Sequence, residues 1–397
     1  MIRYYLFFIA LLAVNSSNAQ EDNSSNKGLL NLINEDFKDA DAQYKFFKTQ
    51  IPLNELPRTL DEKGKLVTSG SAWWCSGFYP GTLLYLYENS KDTVLYNEAI
   101  RRLKLLEKEQ YNKTTHDLGF MMYCSFGHAN RLKANEKYKQ ILINSAKSLS
   151  DRFDPRVGCI RSWDSKKSSE FLVIIDNMMN LELLFYATKI TGDSSYYKIA
   201  VSHADVTMKN HFRPDYSSYH LVDYNPETGE TNVKRTHQGV ADESSWARGQ
   251  GWALYGYTTM YRETKDKKYL DFANNIANFI LNHPNLPADK IPYWDFNAPE
   301  VPNALRDASA GSLIASALIE LAGYNKGNVS KKYLGVARQI IKTLSTKEYK
   351  AVVGTNGGFL LKHSVGSMPH KSEIDVPLTY ADYYYTEALL RYKNLIK

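Results

Sequence analysis

The 397-residue sequence predicts an all-α protein, an (α/α)6 barrel of helical hairpins with short β-hairpin insertions at the rim of its site. Three observations carry this expectation. Apolar residues recur at helical spacing through most of the chain, the helical segments fall into successive pairs joined by short polar turns, and no Pro/Gly/Ser-rich linker or composition shift divides them. Hairpins with one apolar face must bury it on their neighbours, and closing the array into a ring removes its exposed ends.

The chain begins Met1-Ile2-Arg3, continues through an apolar run over residues 4–14, and then offers Ser17-Asn18-Ala19. This is the pattern of a signal peptide over residues 1–19, too short to span a bilayer, and it implies export to the periplasm or beyond. No cysteine follows the apolar run, so no membrane anchor is expected, and residues 20–27 read as a disordered lead-in. A single domain is expected over 28–397. Periodicity and caps place its helices at 28–49, 73–90, 92–110, 117–132, 134–152, 177–190, 194–211, 245–263, 266–282, 307–322, 330–345 and 379–395. The pair 73–90 and 92–110, joined by Asn89-Ser90-Lys91-Asp92, reads as one of the hairpins.

Three stretches break the helical pattern. Residues 157–173 and 216–235 alternate or carry turn signals, and Tyr219-His220-Leu221-Val222-Asp223-Tyr224 followed by Asn225-Pro226-Glu227-Thr228-Gly229 reads as a β-hairpin. Residues 352–377 form the third and contain His363, Ser364 and Ser367. Long connections in a compact helical array commonly shape a site, so all three are expected at one rim.

Composition narrows the function. The formal charge of +6 is scattered, which suits a small anionic ligand and lacks the basic patch of a nucleic-acid binder. The 29 tyrosines and six tryptophans supply stacking surface. Three cysteines permit at most one disulfide. There is no His-Glu-x-x-His, Cys-x-x-Cys or acidic calcium loop, so no metal is expected; without a phosphate-cradling glycine loop or a Gly-x-Ser-x-Gly elbow, neither a nucleotide cofactor nor serine-hydrolase chemistry is expected.

Chemistry concentrates in three segments. His116-Asp117-Leu118-Gly119-Phe120 and Asp176-Asn177-Met178-Met179-Asn180 each set an aspartate ahead of a helical stretch. Aspartate is a favoured N-cap, and capping alone would account for either one. Two carboxylates at helix starts are also the minimum equipment for proton transfer on a sugar, provided their environments keep a proton on one and a charge on the other. The third segment, Ser245-Trp246-Ala247-Arg248-Gly249-Gln250-Gly251-Trp252, puts Arg248 and Trp252 four apart on one helix face. Gly249 and Gly251 each cost about 1 kcal/mol against alanine there, which calls for close backbone approach. Arg248 is expected to grip a substrate carboxylate as a fork, with His237 and Gln238 just upstream. His116, His220, His237 and His363 read as hydrogen-bonding groups at the same site.

Together with Ser71-Ala72-Trp73-Trp74-Cys75-Ser76-Gly77-Phe78-Tyr79-Pro80-Gly81, Gln238-Gly239 and Asp382-Tyr383-Tyr384-Tyr385-Thr386-Glu387-Ala388-Leu389, these segments resemble glycoside hydrolase family 88, the unsaturated glucuronyl hydrolases, in order along nearly the whole mature chain. The resemblance implies an (α/α)6 barrel that removes the unsaturated uronic acid left by polysaccharide lyases at the non-reducing end of acidic oligosaccharides, with or without sulfate. It implies hydration of the C4=C5 bond, with Asp176 protonating C4 and handling the water, and Asp117 as its partner. Trp74, His116, His220, Gln238, Arg248 and Trp252 match positions around the uronate, and Ser364 and Ser367 match positions that hold the next sugar. Asp307-Ala308-Ser309-Ala310 departs from the family pattern, which usually has a second serine after the aspartate. The related unsaturated rhamnogalacturonyl hydrolases differ around the first aspartate. A non-catalytic toroid that binds acidic glycans is the alternative from another class.

Overall fold

The computed structural model describes residues 3–396, and side chains over 26–396. The side chains of the expected signal peptide, and of the lead-in up to residue 25, lie outside the described residues. Twelve α-helices occur among the described residues: α1 (Arg3–Gln50), α2 (Phe78–Ser90), α3 (Thr93–Leu106), α4 (His128–Leu132), α5 (Glu136–Ser150), α6 (Leu181–Thr191), α7 (Ser194–Asn210), α8 (Ala247–Thr264), α9 (Lys267–Asn282), α10 (Ala308–Tyr324), α11 (Gly327–Leu344) and α12 (Thr379–Ile396). A π-helix, Gly119–Gly127, runs into α4, and a 3-10 turn, Ile175–Asn180, runs into α6. Each expected helix has a counterpart, most with ends shifted by a few residues; α1 runs from Arg3 where a start at 28 was expected, through the segment read as a disordered lead-in.

The even-numbered helices form the inner ring. The π-helix and α4 pack beside α2, followed around the ring by α6, α8, α10 and α12, which closes on α2. The sequences explain the division. In α10 small and apolar residues surround the axis and nearly all are buried, whereas α11 buries only Tyr333, Ala337, Ile340, Ile341, Thr343 and Leu344, a stripe at three-to-four spacing. Outer helices α3, α7 and α9 start on Asp92, Asp193 and Asp266, and α5 on Asn135; each side chain accepts a hydrogen bond from a first-turn N–H.

Two inner segments differ from the expected α-helices. The segment expected at 73–90 becomes helical only at Phe78, because a helix begun at 73 would drive the Pro80 ring against the carbonyl of Ser76; Trp73 and Trp74 are thereby left in a turn at the ring's mouth. The segment expected at 117–132 is π-helical in its first half, and there the side-chain amide oxygen of Asn180 accepts the Phe120 N–H at 3.0 Å. A Cβ on Gly119 would fall 2.5 Å from the Asn180 Cα, so only glycine permits this approach of the two segments that begin with the aspartates.

The expected hairpin is β6 (Leu221–Tyr224) with β7 (Thr231–Arg235), and β5 (Phe171–Ile174) joins it in the order β5-β6-β7, all antiparallel. Three further hairpins were not anticipated: β1 (Leu56–Leu60) with β2 (Leu66–Ser69), the short β3 (Phe153–Asp154) with β4 (Cys159–Ile160), and β8 (Ser364–Ser367) with β9 (Ser372–Val376). Cys75, Cys124 and Cys159 are all free thiols.

Inside the ring four aromatic rings touch in a closed circuit. Phe78 meets Phe120 at 5.3 Å, Phe120 meets Trp252 at 5.0 Å, Trp252 meets Tyr384 at 5.4 Å, and Tyr384 returns to Phe78 at 5.9 Å between centroids. They come from α2, the π-helix, α8 and α12, and they plug the barrel axis.

Candidate active site

Above the plug, at the N-terminal ends of the inner helices, lies a cavity of about 100 Å³ lined by Trp74, His116, Asp117, Trp163, Ile174, Asp176, Gln238, Trp246 and Arg248. Each lining group arrives from the entry to an inner helix or from the connection before it. Trp74 leans on Phe78, Phe120 and Tyr380.

Neither aspartate caps a helix. The π-helix and the 3-10 turn begin without a side-chain cap, so the carboxylates stay open to other partners. Asp117 Oδ2 accepts the Thr115 hydroxyl at 2.9 Å, and His116 Nε2 stands 3.3 Å from Oδ1. The other nitrogen of His116, Nδ1, donates to the Ser162 carbonyl at 2.9 Å, so a neutral ring turns a bare Nε2 toward Asp117. Asp176 faces the reverse arrangement. His220 Nδ1 accepts the backbone N–H groups of His237 and Gln238, both at 3.1 Å, which fixes the proton of a neutral ring on Nε2, 3.4 Å from Asp176 Oδ2. One carboxyl meets an acceptor and the other a donor.

The electrostatics follow. Burial lifts the Asp117 carboxyl above the usual range, and the charge of Asp176 adds to the lift, against the Thr115 hydrogen bond and His116. Burial pushes Asp176 the same way, but the His220 contact and the electrostatic pull of His220, His116 and Arg248 outweigh it and hold Asp176 below the usual range. Of the two, Asp117 keeps its proton to the higher pH. His116 Nε2, Asp176 Oδ2 and His220 Nε2 are buried without a well-aligned hydrogen-bond partner.

Arg248 lines the cavity, where it was expected. Its fork is already engaged: Nη1 meets Asp307 Oδ2 at 2.8 Å and the Val365 carbonyl, and Nη2 donates to the Gly366 carbonyl at 2.6 Å. The guanidinium lies between the rings of Trp246 and Tyr380, 4.5 and 5.3 Å from their centroids. Gly366 O also accepts from Gln238 Nε2 at 2.9 Å, so Arg248 and Gln238 together pin strand β8 to the pocket wall. Asp307 also caps α10 through the Ser309 N–H at 3.0 Å, and Ser309 Oγ donates to the same oxygen at 2.5 Å.

The cavity thus gathers Asp117, Asp176, Trp74, His116, Gln238 and Arg248, with His220 directly behind Asp176. Four expected residues, Trp252, His363, Ser364 and Ser367, sit outside the lining. Trp252 belongs to the plug, because four residues along α8 carry it one turn deeper than Arg248. The ring of His363 turns out to Asp375, 2.7 Å away. Ser364 is buried on β8 outside the pocket lining, its hydroxyl unpartnered. Ser367 bonds His370 at 2.8 Å, whose ring stacks on His237 and through it on Trp163. Sequence reasoning missed Trp163, Trp246 and the role of Asp307. A tryptophan inside an irregular connection was the available signal for Trp163.

Residues 54–394 match Glycosyl Hydrolase Family 88. The chain is 43% identical over 396 residues to the unsaturated glucuronyl hydrolase of Formosa agariphila, covering 99% of this chain and 98% of that one. It is 31% identical over 358 residues to the unsaturated chondroitin disaccharide hydrolase of Streptococcus pneumoniae, 87% of each. The crystal structure of an unsaturated glucuronyl hydrolase specific for heparin superposes with a TM-score of 0.90 at 47% identity, covering 92% of this chain and 98% of the other. That of the Streptococcus agalactiae unsaturated glucuronyl hydrolase superposes at 0.86 with 30% identity, covering 92% of each.

Proposed function

The chain belongs to Glycosyl Hydrolase Family 88, and from that premise we propose that it removes the 4,5-unsaturated uronic acid from the non-reducing end of lyase-generated acidic oligosaccharides. The observation that carries this reading is the pair Asp117 and Asp176 lining one pocket, each facing a histidine of opposite hydrogen-bonding sense. Such a pair holds one proton to give and one charge to receive another.

In the free site the shared proton sits on Asp117. An anionic uronate entering beside Asp176 raises that carboxyl in turn, so that Asp176 takes up a proton and delivers it to C4. The electron pair of C4=C5 forms the new C–H bond, and the ring oxygen shares the positive charge left at C5. Water adds to C5 and returns its proton to Asp176, and the hemiketal then opens. C5 becomes a ketone, the ring oxygen stays on C1 as a hemiacetal, and the second sugar leaves as an alcohol. Trp74 and Trp163 offer ring faces to the sugar, and Gln238 a hydrogen-bonding edge. Ser367 beside His370 is the group proposed to meet the second sugar, sulfated or not. The proposed site of action is outside the cytoplasm, which N-terminal sequencing of the exported protein would check by finding the chain to begin after Ala19.

Reaction in heavy water tests the chemistry. Hydration must place deuterium at C4 and abolish the ultraviolet absorbance of the double bond as the second sugar is released. Efficient cleavage of a saturated glucuronide, or product without deuterium at C4, would overturn it.

A further inference from the structure

Below the aromatic plug the barrel holds a second and larger chamber, about 510 Å³ against about 100 Å³ above. Its walls come from α2, the π-helix with α4, α6, α8 and α12, toward their C-terminal ends, and it has no part in the proposed reaction. Six tyrosines face it: Tyr85, Tyr123, Tyr186, Tyr255, Tyr383 and Tyr384.

The polar groups of this chamber are prearranged. Glu387 accepts the hydroxyls of Tyr85 at 2.7 Å, Tyr255 at 3.0 Å and Ser316 at 2.6 Å. Arg391 pairs with Glu387 at 3.2 Å and with Glu320 at 2.8 Å, and Arg131 donates to Glu88 at 2.8 Å. The Tyr383 hydroxyl meets His128 at 2.7 Å, and Tyr186 accepts from Asn130 at 3.0 Å. Two hydroxyls stand apart from these networks. Tyr384 is only 1% exposed, and neither it nor Tyr123 has a hydroxyl partner among the described residues. A nearly buried hydroxyl opening on a chamber without a partner costs free energy until something fills it.

The chemistry of the walls selects the occupant. An apolar molecule would strand these hydroxyls and carboxylates, and a charged one would find most of its counter-charges already paired. An uncharged, hydroxyl-rich ring would pack against the half-buried rings of Tyr123 and Tyr186 and bond the free hydroxyls. We propose that the lower chamber is a binding site for an uncharged saccharide, separate from the upper cavity. This does not rest on the proposed hydrolase reaction.

Calorimetry and saturation-transfer NMR with glucose, N-acetylglucosamine, maltose and cellobiose test it, with glucuronate as the anionic control. Saturable binding of at least one neutral sugar is expected. It should weaken by about tenfold in Tyr384→Phe or Tyr123→Phe, each of which removes one hydroxyl and keeps the ring, and persist in Trp74→Ala, which alters the upper cavity. Four outcomes would overturn the proposal: no saturable binding by any of the four sugars, tighter binding of glucuronate, equal affinity in both tyrosine variants, or loss of binding in Trp74→Ala.

Discussion

Two aspartates of the same type come to differ through one hydrogen atom on each neighbouring imidazole. The Ser162 carbonyl takes the Nδ1 proton of His116, and two backbone N–H groups deny one to Nδ1 of His220, so Asp117 faces a lone pair and Asp176 a donor. The singly protonated pair is then the active free enzyme. kcat/KM should fall on the alkaline side as Asp117, held above its usual range, loses the shared proton that Asp176 must deliver. Asp117→Asn should remove the alkaline limb. Asp176→Asn should keep its melting temperature while kcat falls by about 10²–10⁴-fold; an unchanged kcat in a folded variant would strip Asp176 of its catalytic role. Arg248 calls for a different experiment, since its charge is buried against Asp307. Asp307→Ala leaves that guanidinium without its carboxylate and should cost about 3–5 kcal/mol in urea unfolding, whereas a surface-type pair would cost under about 1.

At the scale of elements, the twelve helices were legible because an amphipathic stripe or an apolar run survives any detail of packing. The site was legible as far as it sits at helix entries. Spacing alone placed Trp252 on the face of Arg248 but could not supply depth, and one turn lowers it by about 6 Å into the plug. Successive strand residues point to opposite faces, so proximity in sequence to Ser364 and Ser367 said nothing of where the His363 ring goes. The π-helix was illegible for another reason: it is imposed by Asn180 bonding the Phe120 N–H, a contact sixty positions distant in the chain. Gly119→Ala tests that contact. The new methyl group meets the Asn180 backbone, and the strain should separate the segments that carry Asp117 and Asp176. A loss of about 1–3 kcal/mol with a fall in kcat is expected, and a variant with normal kcat would show that the close approach does not position the aspartates.

The whole molecule is a ring whose ends must meet, and the seam is polar. Tyr44 on α1 donates to Asp382 on α12 at 3.0 Å, and Tyr385 on α12 donates to Asp36 on α1 at 2.9 Å. Buried titratable groups in such a closed structure make acid unfolding a property of the entire chain. Two opposing sets are present. Burial pushes His203 and His211 each down to about 3, so below about pH 6.5 the unfolded chain binds protons that the native chain refuses, and stability is lost as pH falls. Burial lifts Asp382 and Glu182 each to about 7, so from that pH down to about 4 the native chain binds protons that the unfolded chain does not yet take up, and stability is gained. These terms offset one another, and the melting temperature should change little between about pH 5 and 7 before dropping. Variants separate them. His203→Asn keeps an acceptor for the Ile160 N–H and His211→Gln keeps a donor for the Val173 carbonyl, so with the histidine penalty removed the double variant should gain stability as pH falls from 7 to 5. Asp382→Asn removes the opposing gain and should lose stability over the same interval. If melting curves of all three proteins run parallel in pH, the buried groups are not what couples protonation to the closure of this ring.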